Sequence, residues 1–292
     1  MRPSNRSDFQ VQRIFAQHAP QKRQKSGYLS HYKRSPQKSQ YRSRCAFGLF
    51  FACATLAPLT AQDPRQIIDE TQRRSRSQTQ HYEGTLELHD PKTPAATKRW
   101  TFDRMGSSAE SKSLLRFTAP AELKGVALLI VGHPDGGTDQ WMWTPAVDHE
   151  RRIAQQDRST RFFGTDFSFE DLQERDPNQF DYKLLGMDTV DGAACWKIEA
   201  KPKQARFSQY TRSLLSVRKD NYVVVSIENF SGDKLVRKIR YGNLVKRDKI
   251  LTACEIEVLD PARNSRTVLK IDKLEYNLPM KPDDFTVATL RR

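Results

Sequence analysis

The stretch "YVVVSIENFSGDKLVRKIRYGNLVK" (Tyr222–Lys246) decides the fold that this sequence predicts. It contains two runs rich in β-branched and aromatic residues, Tyr222–Phe230 and Leu235–Lys246, which are separated by the turn-forming letters "SGD". In the first run Val225 and Ile227 fall on the same face of an extended strand, because side chains alternate with a period of two. The stretch therefore predicts an antiparallel hairpin.

Similar runs recur along the chain from Tyr82 to Tyr276, separated by short turn clusters such as "HPDGG", "VDG" and "DPARNS". A helix start precedes them, since Asp63 can serve as an N-cap and a proline follows it at the first helical position. The last run changes parity between Ile271 and Leu274. An extra residue there would restore the register, so we predict a β-bulge in the last strand.

This spacing predicts a protein that is mainly β with a few helices. So many strands are too many for a flat open sheet, which curls or closes at about this number. We therefore predict an incomplete (half-open) antiparallel β-barrel of about 11–12 strands, with helices forming a lid. A barrel of that size has room inside for a ligand as well as for its own side chains.

The strongly basic balance of the chain belongs mostly to its first part. Residues 1–61 contain eleven Lys/Arg and one acidic residue, so they carry most of the net charge of +14. The uncharged stretch "CAFGLFFACATLA" (Cys45–Ala57) follows Arg44, the last basic residue of this part. It is too short to span a bilayer but typical of a signal peptide. We predict a basic leader with a signal peptide at residues 1–61 and one domain at residues 62–292; lipid attachment at Cys53 is an alternative.

The location of the charge also bears on partners and chemistry. Because the predicted domain is nearly neutral, we expect no nucleic-acid partner. Its histidines have no chelating spacing, and phosphate-binding loops and nucleophile motifs are absent from the sequence. The sequence therefore predicts no metal, no cofactor and no enzymatic activity.

The segment "FFGTDFSFEDL" (Phe162–Leu172) combines acids and aromatics at high density. Ser168 followed three residues later by an aspartate is typical of a capping box, which predicts a helix start with its acids on the outer face. As an alternative, Asp166 and Glu170 could form the carboxylate pair of a hydrolase. The structural interpretation is favoured, because acids are common at helix starts and no other part of such a site is visible.

The sequence resembles the LolA-like family of outer-membrane lipoprotein-sorting proteins. The resemblance lies in "RFTAPAELKGVALLI" (116–130), "DQWMWTPAVDHERRI" (139–153) and "STRFFGTDFSFEDL" (159–172), and the closing hairpins fit the family as well. The chain departs from the family pattern at Thr165, where serine is usual.

The resemblance implies a periplasmic carrier that binds the acyl chains of a lipoprotein or lipid in an apolar cavity and ferries them toward the outer membrane. It also implies transient membrane association, a monomer, and partners such as an inner-membrane lipid exporter and an outer-membrane acceptor. A non-enzymatic assembly or binding module beside a multi-span lipid exporter is the alternative.

Large rigid rings can line a pocket without filling it, and several strands carry aromatic pairs on one parity. These pairs could equally form a filled core. We predict that the following residues line the cavity or its lid: Trp100, Phe102, Phe117, Leu128, Ile130, Trp141, Trp143, Phe162, Phe167, Phe169, Trp196 and Ile198.

Overall fold

The computed structural model describes residues 62–107 and 110–292. The leader predicted at residues 1–61 lies outside the described residues. Among those residues, no helix has the length and apolarity that a membrane crossing requires.

One α-helix and thirteen strands make up most of the described part of the chain. Their bounds are α1 (Pro64–Ser75), β1 (Thr79–Asp90), β2 (Thr93–Met105), β3 (Lys112–Ala119), β4 (Ala127–Gly132), β5 (Thr138–Thr144), β6 (His149–Arg152), β7 (Phe180–Val190), β8 (Ala193–Pro202), β9 (Arg212–Arg218), β10 (Val224–Ser231), β11 (Lys234–Arg247), β12 (Ile250–Asp260) and β13 (Ser265–Tyr276). Short 3-10 segments lie between them and at the end, where one spans Val287–Arg291.

The strands form a single antiparallel sheet in the order β6-β5-β4-β3-β2-β1-β13-β12-β11-β10-β9-β8-β7. The sheet is not closed, since β6 and β7 stand at its two edges, and the predicted half-open barrel is confirmed. The sheet has one strand more than the upper estimate from the sequence. The strand that the sequence did not reveal is β6. Its residues, "HERR", are mostly exposed and lack the apolar alternation of a core strand.

The helix predicted near the start of the domain is confirmed. The Asp63 carboxylate accepts a hydrogen bond from the Arg65 N–H at 2.9 Å, and the helix begins at Pro64. Ile67 and Ile68 are its buried residues, and they pack against strands of the second half of the sheet. The prediction of a helix starting at Ser168 is wrong, since residues 169–172 form turns.

The β-bulge predicted in the last strand is also confirmed. In the pairing of β1 with β13, Glu83 lies opposite Lys273 whereas the next residue, Gly84, lies opposite Ile271. Asp272 is therefore the extra residue. Ile271, before the bulge, therefore packs in the same apolar cluster as Leu274 and Tyr276, after it.

We expect Gly84→Ala to lower the free energy of unfolding by about 1–3 kcal/mol, the usual cost of overpacking a core. A Cβ at this position would lie 1.9 Å from the Lys270 carbonyl oxygen and 3.0 Å from a ring carbon of Trp100. Gly242→Ala is the matched control, because a Cβ there meets no described atom within 4 Å. Urea unfolding of both variants tests this, and equal stability would contradict the steric argument.

The two faces of the sheet are covered differently. The inner face carries α1 and residues 153–179, which connect β6 to β7 and are called the inner segment below. On the outer face, the C-terminal residues pack over β4 and β5, where Phe285 and Leu290 contact Leu129 and Trp143. Both sides of β4 are consequently buried.

Candidate functional site

The inner segment lies across the inner face and fills part of the barrel with its own aromatic rings. Phe162, Phe167 and Phe169 are buried in the same core cluster as Phe117. The Phe162 ring stacks on Phe117 at 5.4 Å between centroids and meets the edge of Phe169 at 5.5 Å. These phenylalanines therefore hold the segment down on the strands.

The acids of this segment are buried, so the prediction that they face outward is wrong. Asp166 is 1% exposed and Glu170 is 5% exposed. The Ser168 N–H donates to an Asp171 carboxylate oxygen at 2.8 Å, so the capping pair forms, but only around a turn. Tertiary contacts recruit the carboxylates inward instead of leaving them at the start of a helix.

Asp166 is saturated by hydrogen-bond donors. Its carboxylate accepts from the Ser265 hydroxyl at 2.6 Å, the Thr267 hydroxyl at 2.9 Å and the Arg161 guanidinium at 2.7 Å. The Asp166 N–H also donates to the Thr267 hydroxyl at 2.8 Å. A buried carboxylate held in this way is typical of an anchor between two chain segments.

Arg237 on β11 joins this anchor to a second one. Its Nε donates to the Asp166 carbonyl oxygen at 2.6 Å and lies 3.5 Å from the Asp171 carboxylate. Its Nη1 donates to the Tyr210 hydroxyl at 2.7 Å, and that hydroxyl donates to Asp171 at 2.8 Å. Burial lowers the pKa of Arg237, but Asp171, Tyr210 and Asp260 together outweigh it and the pKa is raised.

Glu170 differs from its neighbours because no cation pairs with it among the described residues. It accepts hydrogen bonds from the Ser208 hydroxyl and from the Gln209 N–H, the latter at 2.9 Å. Burial raises the pKa of the Glu170 carboxyl, and these hydrogen bonds offset only part of the effect.

A cavity of about 230 Å³ remains between α1, the inner segment and the second half of the sheet. We call it the α1 cavity. Its apolar wall consists of Ile68, Pro177, Phe180, Tyr182, Ala200, Leu215, Val224, Ile227, Ile239 and Tyr241. Its polar wall consists of Thr71, Gln72, Glu170, Asp171, Gln173, Glu174 and Arg175.

Arg175 is the one cation on this wall, and both of its terminal nitrogens already donate a hydrogen bond. Its guanidinium donates to the Ser213 hydroxyl and to the Asn229 side-chain oxygen, both at 3.1 Å. The same group lies 5.5 Å from the centroid of the Phe180 ring. The side chain is thus fixed in place between the strands and the end of the inner segment.

The structure divides the twelve residues predicted for the cavity or lid into three groups. The first shares the core beneath the inner segment: Trp100, Phe102, Phe117, Leu128, Ile130, Phe162, Phe167 and Phe169. Trp196 and Ile198 lie in the cluster beneath α1. Trp141 and Trp143 lie on the outer face against the C-terminal residues. Within the described chain, none of the twelve lines the α1 cavity.

The strand residues that line this cavity could have been found in the sequence from their alternation. Ile239 and Tyr241 share one parity of β11, and Ala200 continues the parity of Trp196 and Ile198 on β8. Extending the inward parity of Trp196 and Ile198 to neighbouring strands would have marked this wall. The polar wall had no such signal, because all its members except Thr71 and Gln72 of α1 come from an irregular segment.

The described residues contain no group of three or more His, Cys, Asp or Glu side chains that could hold a metal ion. Cys195 and Cys254 are both buried, free thiols. The predominantly apolar wall of the α1 cavity makes it the candidate functional site.

Comparisons with solved structures identify the fold. An outer membrane lipoprotein-sorting protein domain from Vibrio parahaemolyticus matches with a TM-score of 0.74 and 21% identity, over 78% of this chain and 98% of that one. A DUF1329 family protein from Desulfovibrio piger ATCC 29098 matches with a TM-score of 0.74 and 26% identity, over 78% and 99%. A LolA superfamily protein from Nitrosomonas europaea matches with a TM-score of 0.64 and 18% identity, over 77% and 98%.

The open sheet with its inner helix thus has the fold of the LolA-like proteins, which is the fold that the sequence resemblance implies. The family model that matches, over residues 109–292, is described as "Uncharacterized protein", and the chain belongs to that family. No curated protein matches the chain.

Proposed function

We propose that the protein is a non-enzymatic carrier that binds the acyl chains of a lipoprotein or lipid in the α1 cavity. The observation that carries this proposal is the composition of the cavity wall, which is apolar on the strands beneath α1 and at Ile68 of the helix. Apolar walls with a few polar groups at one side are typical of sites for small amphiphilic ligands.

The energetics of an acyl chain support a cavity of this kind. Moving a chain of about sixteen carbons into water costs on the order of 12 kcal/mol at ~0.8 kcal/mol per methylene. A carrier has to offset most of that cost with apolar wall. The present volume of about 230 Å³ lies just below the ~300–1,000 Å³ of usual ligand sites, so a whole chain requires the cavity to widen.

The helix is the wall most easily displaced. Apart from Ile67 and Ile68, it is held by contacts near the surface, such as the Arg65 guanidinium to the Asn178 side chain at 2.7 Å and the Arg74 guanidinium over the Tyr222 ring at 4.3 Å. Exposed contacts of this kind contribute little to stability. A shift of α1 that keeps these two isoleucines against the strands would therefore enlarge the cavity at a modest cost in free energy.

The environment of the acids supports binding over catalysis. Asp166 and Glu170, the alternative catalytic pair, are buried and accept hydrogen bonds from Ser265, Thr267 and Ser208. A hydrolase needs both of its carboxylates in a cleft that the substrate and water can reach, whereas Asp166 does not line the α1 cavity. Ala substitution at either acid should therefore act on folding of the inner segment.

The cellular part of the proposal follows the leader and the fold class. We infer that the protein works in the periplasm as a monomer with transient membrane association, and that it moves its ligand toward the outer membrane. An inner-membrane lipid exporter would supply the ligand and an outer-membrane component would accept it. Lipid recovered with protein isolated from its own periplasm supports this role, and its consistent absence favours an assembly module.

Val224→Trp is the direct test of the cavity. We expect the indole to fill the space beside α1 and to weaken binding of a fluorescent fatty acid at least about tenfold, or ~1.4 kcal/mol. Val245→Trp makes the same change at an exposed position on β11 and should leave binding unchanged. Equilibrium titration measures both, and thermal unfolding verifies that each variant is folded. Undiminished binding in folded Val224→Trp would contradict the assignment of the site.

A further inference from the structure

A second opening lies where the two edges of the sheet approach each other. It has a volume of about 530 Å³ and we call it the seam cleft. One side is formed by the turn between β4 and β5 and by Arg152 at the end of β6. The other side is formed by Gln179, just before β7, and by Arg206 and Phe207 in the connection between β8 and β9. The inner segment supplies its floor.

The charges of this cleft are unevenly compensated. Asp139 is paired with Arg152 and lies 3.1 Å from His133, so this acid is neutralised. Arg158 and Arg206 form no ion pair among the described residues, although Glu170 and Asp139 lie near enough to Arg158 to favour its charged form. Their segments are tied together, because the Gln155 side chain donates to the Arg206 carbonyl oxygen at 2.5 Å.

Arg158 is the more constrained of the two arginines. One terminal nitrogen donates to the Thr138 carbonyl oxygen, whereas its Nε is buried without a partner. Burial of the guanidinium lowers the pKa of Arg158. A half-buried arginine with an unused donor, in a cleft that a second arginine without an ion pair also lines, is favourable for an anion.

The seam cleft adjoins the α1 cavity through a narrow gap. The gap has a volume of about 20 Å³ and shares Gln173 with both openings. It holds no more than a water molecule or two at ~10–15 Å³ each. The Gln179 side chain donates to the Gly136 carbonyl oxygen across it, so opening the gap requires breaking this hydrogen bond.

We propose that the seam cleft binds the phosphate, or a similar anionic head group, of an amphiphile whose chain extends through the gap into the α1 cavity. This inference rests on the carrier function proposed above. Guanidinium groups match phosphate oxygens in geometry and charge, which suits Arg158 and Arg206 to this role. Glu170 lines both the gap and the cavity, so its carboxyl group disfavours the opposite orientation of an anionic amphiphile.

Decyl phosphate and decanol distinguish the head-group site from the chain site. Each is used to displace a fluorescent fatty acid from the full-length mature protein. We expect decyl phosphate to displace the probe at about tenfold lower concentration than decanol, as expected for charge-assisted hydrogen bonds. Arg206→Gln and Arg158→Gln should remove this preference without changing displacement by decanol. Arg151→Gln, at an exposed arginine outside the cleft, is the matched control and should retain the preference.

Each outcome decides between the two proposals. Equal displacement by decyl phosphate and decanol in the unaltered protein overturns the head-group site and leaves the carrier function intact. Inorganic phosphate that blocks decyl phosphate at equal concentration shows that a free anion is the ligand, and also overturns it. If the fluorescent fatty acid itself does not bind, the carrier function fails, and this inference fails with it. Arg206 is exposed, so its variant remains informative even if Arg158→Gln does not fold.

Discussion

Arg237→Met is expected to lower the free energy of unfolding by about 3–5 kcal/mol, the cost of leaving a buried charge without its partner. Arg237 is 6% exposed and lies 3.5 Å from Asp171, whose side chain is equally withdrawn from solvent. Methionine preserves most of the volume of the arginine stem but supplies no donor. The Asp166 carbonyl oxygen would lose a charged hydrogen-bond donor, and the Asp171 carboxylate would lose the positive charge next to it.

Urea unfolding at neutral pH measures this loss. Arg240→Met is the matched control, since Arg240 lies on the same strand and is exposed. The double variant Arg237→Met with Asp171→Asn should recover part of the stability, because it removes the uncompensated charge as well. Equal destabilisation by the two single arginine variants would show that the buried network contributes nothing beyond the arginine stem.

Phe162→Ala is expected to destabilise the protein by about 3–5 kcal/mol, as is usual when a fully buried phenylalanine is truncated. The Phe162 side chain is 1% exposed, stacks on Phe117 and meets the edges of Phe163 and Phe169. Its removal leaves a cavity that the surrounding strands cannot close, because the sheet is held in register by its backbone hydrogen bonds.

Phe163→Ala provides the comparison for this prediction. Phe163 is the neighbouring residue and contacts the rings of Phe117 and Phe162, but it is only half-buried. We expect it to lose no more than about half as much stability, because less apolar surface returns to water. Thermal and urea unfolding of both variants measure the difference. If the two losses were equal, the inner segment would be anchored by its polar network and not by ring packing.

The regular part of the fold could be predicted from local patterns in the sequence. Alternation revealed the strands, Asp63 with Pro64 revealed α1, and the parity change before Leu274 revealed the bulge at Asp272. Each of these signals acts over a few residues, so neighbouring letters suffice to detect it.

The inner segment could not be predicted in this way, because distant residues decide its conformation. The Ser168–Asp171 pair is the same in a capping box and in the observed turn. The outcome depends on Tyr210 and Arg237, which draw the Asp171 carboxylate toward β11 instead of toward solvent. No local pattern indicates a partner more than thirty residues away.

The faces of the tryptophans in β5 illustrate a different limit. Trp143 lies opposite Ala127 and Trp141 lies opposite Leu129, so both belong to the outer parity of β4 and β5. Alternation shows which residues share a face, but it cannot show which face is inner when both are apolar. Here the C-terminal residues bury the outer face, so the usual contrast between an apolar and a polar side is lost.

The phenylalanines of the inner segment have a consequence for any ligand that approaches the strands beneath them. They act as a tethered competitor, because they occupy the surface that such a ligand would need and are covalently part of the same chain. Their effective concentration is therefore high and fixed, whatever the amount of protein. The observed affinity for a ligand at this surface is its intrinsic affinity reduced by the free energy of displacing the phenylalanines. Loosening the Asp171–Arg237 attachment should therefore strengthen binding there even as it weakens the fold.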